Sequence, residues 1–300
     1  MSLTIVILAA GQGTRMRSRL PKVLQPLAQQ SLLGHVLATA QELGADDVCV
    51  VYGHGGELVL ATFPGDDIRW ALQAEQLGTG HAVQQAMPGT PDGGSVLVLF
   101  GDVPLLTAAT LARLVTATPA SDLAVLTVDL DDATGYGRIV RDGDDVVRIV
   151  EQKDATADEL AIREINTGVM LCPTDRLKSW LAALNNDNAQ GEYYLTDIVA
   201  MAVADGVTVH GIKALGKEEV MGINDKAQLA EAERALQRRR VEALMQAGVG
   251  FADPDRVDIR GTLECGSDVF IDINAVFEGE VRLGDGVSIG PNNLLRDCEV

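Results

Sequence analysis

The residues best suited to chemistry lie near the start of the chain, where two glycines and two cations follow a short apolar segment. The string LAAGQGTRM begins at Leu8, and the string LPK follows it closely. Gly11 and Gly13 lack the Cβ atoms that would block a close ligand, so free backbone N–H groups there could form a concave phosphate site. Arg15 adds a planar fork and Lys22 a point charge for phosphate oxygens. The pattern predicts a phosphate cradle with two cations.

The spacing of these glycines excludes two common nucleotide-binding motifs. The dinucleotide fingerprint needs a third glycine where this chain has Met16, and the P-loop needs a Gly-Lys-Ser/Thr sequence that does not follow here. An NAD-linked oxidoreductase is therefore disfavoured. A Gly-x-Gly pair is a weak indication alone, and the specificity comes from the whole string with its cations.

Two oxygen-bearing side chains are candidates for a metal site. Asp102 follows an apolar run in the string GDVPL, where it is either a Mg²⁺ ligand or a residue that stabilises the turn, with equal weight. Asn224 in the string GIN could add an amide oxygen, although an asparagine before a helix is more often an N-cap.

A second loop of small residues, LGTGHA, begins at Leu77 and leads into a predicted helix. The amides of Gln73 and Gln76, just before it, can pair with the donor and acceptor edge of a base. Thr79 either binds ligand or caps the helix, and His81 favours a structural role.

Four further clusters mix amide, carboxylate, hydroxyl and aromatic groups, which suits a sugar. They are GYGRI from Gly135, the single Glu151, NTG from Asn166 and YYLTD from Tyr193. Each of them alone is also compatible with a turn or a cap.

Strands and helices alternate over most of the chain, which is typical of an α/β fold with a mainly parallel, doubly wound sheet. The predicted strands are Thr4–Leu8, Asp47–Tyr52, Ser95–Phe100, Leu123–Val128, Gly137–Val140, Asp145–Val150 and Gly168–Cys172. The predicted helices between them are Ser31–Leu43, Gly80–Met87 and Thr107–Thr116. Ligands of such folds bind beyond the carboxyl ends of the strands, where the glycine loop and Asp102 both lie.

The last part of the chain has two other patterns. Residues 225–247 are rich in helix formers and predict one long helix. Its arginine run 238–240 could be a binding patch, but we interpret it as a solvated helix face. From about Asp253, apolar residues recur every six positions in two stripes, which predicts a left-handed parallel β-helix rather than an ordinary sheet. The pattern reaches Val300 without a cap, so we expect a shortened chain or an unusually short solenoid. The first stripe is Val257, Leu263, Val269, Ala275, Val281 and Val287, and the second is Ile271, Phe277, Leu283, Ile289 and Leu295.

Composition limits the partners and the compartment. The formal net charge is −19, from 24 Lys and Arg against 43 Asp and Glu, so nucleic acid and anionic membranes are disfavoured partners. The four cysteines are scattered and fit buried thiols in a reducing compartment. No signal peptide is predicted, and we expect a cytoplasmic protein.

In order, the motifs resemble those of the bacterial bifunctional N-acetylglucosamine-1-phosphate uridylyltransferase/glucosamine-1-phosphate acetyltransferase family, along essentially the whole chain. The shared strings are LAAGQGTRM, LPKVL, QLGTGHA, GDVPL, GYGRI, NTGV, EYYLTD and GIN. The resemblance implies a Rossmann-like uridylyltransferase domain (1–224), a linker helix (225–249) and a truncated left-handed β-helix of hexapeptide repeats (250–300).

The resemblance also implies roles for single residues. Arg15 and Lys22 would be catalytic and would meet the phosphates, and Asp102 and Asn224 would hold Mg²⁺. The nucleotide would contact Leu8, Ala9, Ala10, Gly11, Gly13, Lys22, Gln73, Gln76, Gly78, Thr79 and Asn224. The sugar would contact Gly137, Glu151, Asn166, Tyr194 and Thr196. Phe100 stands where the family also has Tyr, which puts a hydroxyl contact in doubt.

The implied reaction is Mg²⁺-dependent: UTP and N-acetylglucosamine 1-phosphate give UDP-N-acetylglucosamine, a cell-wall precursor, and pyrophosphate. The family's acetyltransferase residues lie in later coils, so none is expected here, and the full-length protein is expected to be a homotrimer through the β-helix. Two alternatives stay open, namely another sugar-1-phosphate nucleotidylyltransferase and a non-catalytic trimeric scaffold.

Overall fold

The computed structural model describes residues 2–65 and 67–300. The chain forms two compact units. The first comprises Met1–Gln25 and Leu32–Asn224, and the second comprises Pro26–Ser31 and Asp225–Val300. A short segment near the start of the chain therefore belongs to the same unit as the C-terminal residues.

The strands and helices follow the alternation that the sequence predicts. The strands are β1 (Leu3–Leu8), β2 (Pro26–Leu27), β3 (Gln30–Ser31), β4 (Asp47–Tyr52), β5 (Arg69–Leu72), β6 (Ser95–Phe100), β7 (Leu123–Asp129), β8 (Arg138–Asp142), β9 (Asp145–Val150), β10 (Glu164–Pro173), β11 (Val209–Lys213), β12 (Gly250–Phe251), β13 (Val257–Cys265), β14 (Phe270–Ile271), β15 (Ala275–Leu283), β16 (Ser288–Ile289) and β17 (Leu294–Glu299). The helices are α1 (Leu32–Leu43), α2 (Gly56–Thr62), α3 (Thr79–Ala86), α4 (Ala108–Ala117), α5 (Ala157–Leu160), α6 (Thr174–Ala183), α7 (Asp197–Ala204) and α8 (Lys226–Gln246).

The first unit is built on a nine-stranded sheet with the order β11-β7-β10-β6-β1-β4-β5, to which the hairpin β8-β9 is joined through β10. β1 pairs in parallel with β4 and β6. β10 runs antiparallel to β6 and β7, and its register shifts between Asn166 and Met170. The predicted strand Gly168–Cys172 is therefore only the second half of β10, because the positive φ of Gly168 (89°) interrupts the ladder.

Side chains on alternate positions of β1 supply the core on both faces of this sheet. Ile5 and Ile7 pack in one apolar cluster, and Val6 and Leu8 pack in the other. All four are buried, as is typical of a central strand that helices cover on both sides. This two-sided burial fixes the end of β1, and with it the start of the glycine loop.

The second unit repeats every 18 residues, which is three hexapeptides. Val257 of β13 pairs in parallel with Ala275 of β15, and Phe277 of β15 pairs with Leu295 of β17. β12, β14 and β16 form a second parallel sheet. These strands form the start of a β-helix. The two stripes predicted from the sequence supply its core, although Leu263, Val287 and Leu295 are only partly buried.

The N-terminal part of the second unit is the β2-β3 hairpin, which packs against α8. Ala28 and Gln29 at its tip have positive φ angles of 47° and 69°, as a two-residue hairpin turn requires. The backbone N–H of Ala28 donates to Glu233 Oε2 of α8 at 2.7 Å. The carboxylate thus satisfies a backbone donor in a turn that ordinary residues adopt only at a cost.

The arginine run of α8 differs from its interpretation as a solvated face. Arg238 is exposed, and its Nη2 lies 2.7 Å from Asp255 Oδ1. Arg240 is partly buried and donates to the carbonyl of Ile259, and burial lowers its pKa. The prediction is wrong for Arg240, because this arginine satisfies a carbonyl at the end of the buried part of β13.

The four cysteines are free thiols. Burial raises the pKa of Cys49 to about 11 and that of Cys172 to about 12, so both stay protonated as small apolar side chains. Cys265 and Cys298 are only partly buried. Within residues 2–65 and 67–300, no helix is both long and apolar enough for a membrane crossing.

Candidate active site

The glycine loop leaves the sheet directly after β1. The N–H of Ala9 donates to Val51 of β4 at 2.8 Å, and the carbonyl of Leu8 accepts from Gly101, after β6, at 2.9 Å. Gly13 has a φ of 60°, and a Cβ there would lie 2.5 Å from Lys22 Cβ. Because glycine has no Cβ to clash with Lys22, the loop packs directly against the aliphatic stem of this lysine.

The ammonium of Lys22 lies between two oxygens from distant parts of the chain. It forms an ion pair with Asp102 Oδ2 and lies 3.2 Å from Asn224 Oδ1. The side chains of Lys22 and Asp102 are only 13% and 16% exposed. The N–H of Ile223 donates to the carbonyl of Asp102 at 2.9 Å, which holds the segment carrying Asn224 beside β6. The three groups therefore form one partly buried charged cluster.

The same two oxygens fit a hard divalent cation. They already converge on one cation, the ammonium of Lys22, and Mg²⁺ prefers carboxylate, amide and phosphate oxygens. Among the described residues, no group of three or more His, Cys, Asp or Glu side chains could hold a metal ion. A bound Mg²⁺ would therefore need substrate oxygens or water for its other ligands.

Asn224 is not the N-cap of α8. That position is Asp225, whose carboxylate accepts from the N–H of Gln228 at 2.9 Å. The structural alternative for Asn224 is therefore wrong, and its amide oxygen faces Lys22 instead.

The two glutamines of the second loop hold the walls of the cleft together. Gln76 Nε2 donates to the carbonyl of Ala10 at 2.6 Å, and so joins this loop to the glycine loop. Gln73 is buried, and its Nε2 lies 3.1 Å from both the carbonyl of Gly78 and His81 Nδ1. A base would thus meet two amides whose nitrogens each already donate to an internal acceptor.

The loop before α3 is fixed from outside by the segment that precedes α7. The N–H of Tyr193 donates to the carbonyl of Leu77, and the N–H of Leu195 donates to Thr79 Oγ1 at 3.1 Å. Gly78 has a φ of 112°, and a Cβ there would lie 2.6 Å from the carbonyl oxygen of Tyr193. Thr79 therefore bonds another segment instead of capping its own helix, and position 78 admits only glycine without strain.

These groups surround one cleft of about 270 Å³. It lies beyond the carboxyl ends of β1 and β6, as expected for ligand sites of α/β sheets. The predicted residues that line it are Leu8, Ala9, Ala10, Gly11, Lys22, Gln73, Gln76, Gly78, Thr79 and Asp102. Phe100, where the family also has Tyr, lines it too, as do Val23, Ala82 and Glu192, for which no role was predicted.

The predicted sugar-binding residues form a second cluster. The N–H of Asn166 donates to the carbonyl of Gly137 at 2.9 Å, and Thr196 Oγ1 donates to Glu151 Oε1 at 2.9 Å. A Cβ on Gly137 would lie 3.4 Å from Glu151 Oε1, so the two pairs adjoin. Phe100 lines the cleft and also packs against Gly168, two residues after Asn166. The cluster is thereby connected to the cleft.

The carboxylate of Glu151 has other carboxylates nearby, whereas the ammonium of Lys22 is paired with a carboxylate of opposite charge. Burial raises the pKa of Glu151, and the neighbouring Asp197 and Asp154 raise it further, although the hydroxyl of Thr196 opposes them. Burial together with Asp154 also raises the pKa of Tyr194 to about 12. Tyr194 Oη donates to Asp154 Oδ2 at 3.3 Å, so its expected contact with a sugar stays a prediction.

A family model described as the MobA-like NTP transferase domain matches residues 5–201. The chain belongs to the MobA-like NTP transferase family. The matched range includes both glycine-containing loops, Asp102 and the sugar cluster, and ends shortly before Asn224. The cleft is therefore the candidate active site of an NTP transferase domain.

Relatives extend the match to nearly the whole chain. Two proteins named "Bifunctional protein GlmU" are 56% identical over 299 residues in Azoarcus sp. (strain BH72) and 57% identical over 298 residues in Thiobacillus denitrificans (strain ATCC 25259 / T1). Each match covers 99% of this chain, which spans 66% and 65% of these relatives. The resemblance predicted from the ordered motifs is confirmed.

Solved structures support the fold of this NTP transferase. A UDP-glucose pyrophosphorylase complexed with UDP-glucose has a TM-score of 0.65 at 16% identity, covering 80% of this chain and 100% of that one. A nucleotidyl transferase from Methanothermobacter thermautotroptrophicus has a TM-score of 0.58 at 21% identity, covering 79% and 99%. The predicted α/β nucleotidyltransferase fold is confirmed, and identities this low carry no more than the fold.

The two cations predicted for the phosphates lie in different surroundings in this NTP transferase. Lys22 is partly buried and paired, whereas Arg15 is exposed in the short 3₁₀ helix Thr14–Met16. Met16 is buried and anchors this turn. Within the part of the chain that the structure describes, Arg15 forms no ion pair, so its predicted contact with phosphate needs no existing bond to break.

Glu192 lines the cleft, although its residue type and spacing predicted no role for it. Its Cβ lies 3.0 Å from the position that a Cβ on Gly78 would occupy. The side chain of Asn188 holds its backbone, accepting from the N–H of Glu192 at 3.2 Å and donating to its carbonyl. The string EYYLTD contained this carboxylate, but nothing in its spacing indicated that it faces the nucleotide loop.

Proposed function

We propose that this chain transfers UMP from UTP to N-acetylglucosamine 1-phosphate, with release of pyrophosphate. The observation that carries the proposal is the convergence of Lys22, Asp102 and Asn224 beside the glycine loop. The family motifs along the chain and the relatives of 56–57% identity support the choice of substrates.

The chemistry needs alignment more than proton transfer. A phosphate oxygen of the sugar phosphate attacks the α-phosphorus of UTP, and the bond from that phosphorus to the oxygen bridging to the β-phosphate breaks. The second pKa of a phosphomonoester is about 6, so the attacking oxygen is already ionised at neutral pH. Catalysis then depends on positioning two anions and on neutralising their charge.

The residues of the cleft divide this work among them. The backbone from Leu8 to Gly13 approaches the phosphates, and Lys22 and Arg15 stabilise negative charge on them. Gln73 and Gln76 position the base through their amides. Glu151, Asn166 and Thr196 bind the hydroxyl and amide groups of the sugar, with Gly137 and Tyr194 completing the sugar site.

Asp102 and Asn224 are the residues that would hold Mg²⁺. When bound, this ion would screen the repulsion between the two phosphate-bearing substrates. The carboxylate and the amide contribute by holding two oxygens in place, since the backbone bond from Ile223 to Asp102 fixes their separation.

The proposal is tested by pyrophosphate release from purified protein with UTP, N-acetylglucosamine 1-phosphate and Mg²⁺, against the same mixture with EDTA. Fast release that needs the metal is the expected result. A folded protein without release would be tested with a panel of other sugar 1-phosphates and NTPs. Release only with another sugar 1-phosphate or another NTP would show that the protein is a nucleotidylyltransferase of different specificity. No release with any combination would favour the scaffold alternative.

We further propose that residues 1–224 form the uridylyltransferase domain, 225–249 the linker helix and 250–300 the first coils of the β-helix. The coils would trimerise in the full-length protein. Light scattering on the 300-residue chain and on the full-length protein tests this point, and a full-length monomer would contradict it.

A further inference from the structure

The ammonium of Lys22 occupies the place between the two oxygens that we assign to a divalent cation. It contacts Asp102 Oδ2 and Asn224 Oδ1 together. Two cations cannot share these oxygens closely, because their mutual repulsion rises steeply at contact distances in a partly buried site. The lysine contact and metal coordination by the same two oxygens are therefore competing states.

We propose that Lys22 is a displaceable counter-ion of the metal site, which holds Asp102 and Asn224 together until a divalent cation replaces it and the freed ammonium turns to the phosphates. This inference rests on the proposed function for the role of the metal site. It adds that metal binding and placement of the lysine are one coupled event, with Lys22 positioning the metal ligands before the reaction.

The backbone around Lys22 is fixed, so the exchange involves only the side chain. The N–H of Gln25 donates to the carbonyl of Lys22 at 3.0 Å, and Gln25 Nε2 donates to the carbonyl of Leu20 at 2.9 Å. Gly13 packs against the Cβ of Lys22. Only the outer methylenes and the ammonium can turn, and the glycine loop at which the phosphates are expected lies beside them.

The counter-ion also explains how the ligands stay in place without a metal ion. Asp102 is largely buried, and a buried carboxylate without a partner destabilises the folded protein more than an exposed one does. With the ammonium present, both oxygens remain directed at one point. A divalent cation then meets a preformed pair of ligands and displaces the lysine from them.

The first test measures the reactivity of the amine in the wild-type protein, without any substrate. Methyl acetimidate labelling of Lys22, quantified by peptide mass spectrometry, is compared with and without Mg²⁺. We expect Mg²⁺ to increase the labelling rate of Lys22 several-fold. Lys178, paired with Asp92 far from these residues in sequence, is the internal control whose rate stays constant. An unchanged or lower rate at Lys22 overturns the proposal.

The second test measures Mn²⁺ binding by electron paramagnetic resonance, again without substrate. If the ammonium occupies the site about nine-tenths of the time, Lys22→Met tightens Mn²⁺ binding about tenfold, and Lys22→Arg does not. Arg15→Met removes a charge that has no contact with Asp102, and it separates competition from general electrostatics because we expect little change. Equal binding by wild type and Lys22→Met, weaker binding by Lys22→Met, or no binding by either overturns the proposal.

Thermal denaturation confirms that Lys22→Met is folded, and the labelling test needs no variant. Neither measurement contains nucleotide or sugar. A negative result in these two tests therefore does not contradict the proposed reaction, which the pyrophosphate assay tests. A negative pyrophosphate assay likewise does not decide whether Lys22 and the metal compete, which these two tests measure.

Discussion

The side chains that meet in the candidate active site come from distant points of the chain, whereas neighbours in the coils are one short repeat apart. Lys22, Asp102 and Asn224 join three separate segments of the first unit. In the second unit, Val257 and Ala275 pair at the same 18-residue interval as Val276 and Leu294. We therefore expect function in the first unit to depend on single residues, and stability in the second to depend on a repeated pattern.

This difference predicts how each unit responds to substitution. A residue of the cleft has no duplicate, so its loss should affect turnover much more than folding. A residue of the coils contributes to a stack of similar layers, so its loss should lower stability and leave turnover unchanged. Four experiments test the comparison.

The largest effect is expected for Asp102→Ala. Removal of a preorganised charged contact typically lowers the rate by a factor of about 10²–10³. We expect the pyrophosphate assay to show this loss while circular dichroism shows an unchanged fold. Asp92→Ala, which removes an exposed carboxylate paired with Lys178, is the matched control and should keep its activity. Near-normal turnover of Asp102→Ala would remove the metal assignment.

Alanine substitutions at the two glycines of the first loop should distinguish an effect on ligand binding from an effect on stability. A Cβ on Gly11 meets no atom within 4 Å, so Gly11→Ala should fold normally and raise the KM for UTP by about tenfold, since about 1.4 kcal/mol of binding corresponds to that factor. Gly13→Ala meets the stem of Lys22 at a φ of 60°, and should also lose about 1–2 kcal/mol of stability. Steady-state kinetics and denaturant unfolding measure the two effects. Normal kinetics of Gly11→Ala would show that no ligand approaches there.

Glu151→Gln should weaken sugar binding while stabilising the fold at neutral pH. The variant keeps the acceptor for Thr196 but loses the charge, so the KM for the sugar phosphate should rise about tenfold, as expected when a hydrogen bond to a charged group becomes a neutral one. The nucleotide KM should change little. Equal changes in both values would contradict separate subsites.

The pH dependence of stability gives a second readout for Glu151. Burial raises its folded pKa above the ordinary value of 4.5, so the folded chain binds more protons between these two values. This stabilising contribution is present below pH 4.5 and is lost as pH rises through the folded pKa. Melting curves of wild type and Glu151→Gln should therefore converge in acid and separate toward neutral pH, with the variant a few °C higher. A variant that melts lower at neutral pH would refute the buried-charge explanation.

The smallest effect on turnover is expected for Phe277→Ala, although it should destabilise the coils by about 3–5 kcal/mol. Phe277 is fully buried in the apolar core of the second unit. Leu294→Ala changes a side chain that is 60% exposed and should alter stability by less than about 0.5 kcal/mol. Unfolding curves measure both. A fall in kcat of folded Phe277→Ala would break the proposed division between the units.

The same contrast explains which features could be predicted from the sequence. The coils repeat their apolar positions, so their core residues and parallel pairing follow from period alone. The strands of the first unit follow from short apolar runs. The antiparallel direction of β10 does not, because pairing between strands distant in sequence leaves no local periodicity.

The contacts within the candidate site were harder to predict from local sequence patterns than the strands were. The glycine loop and the two cations were evident from residue types, but the pairing of Lys22 with Asp102 and Asn224 depends on contacts across the fold. The amides of Gln73 and Gln76 were predicted for a base, yet they also bond the loops around them. A residue type indicates what a side chain can bind, whereas its partner is decided by tertiary structure.

The position of the β2-β3 hairpin has a consequence for synthesis on the ribosome. Ala28 emerges about two hundred residues before its hydrogen-bond partner Glu233. The contact between the hairpin and α8 can therefore form only after the rest of the first unit has been translated. A gene divided after Asn224 would encode a second fragment without this segment, and six residues supplied separately as a peptide would be needed to complete it.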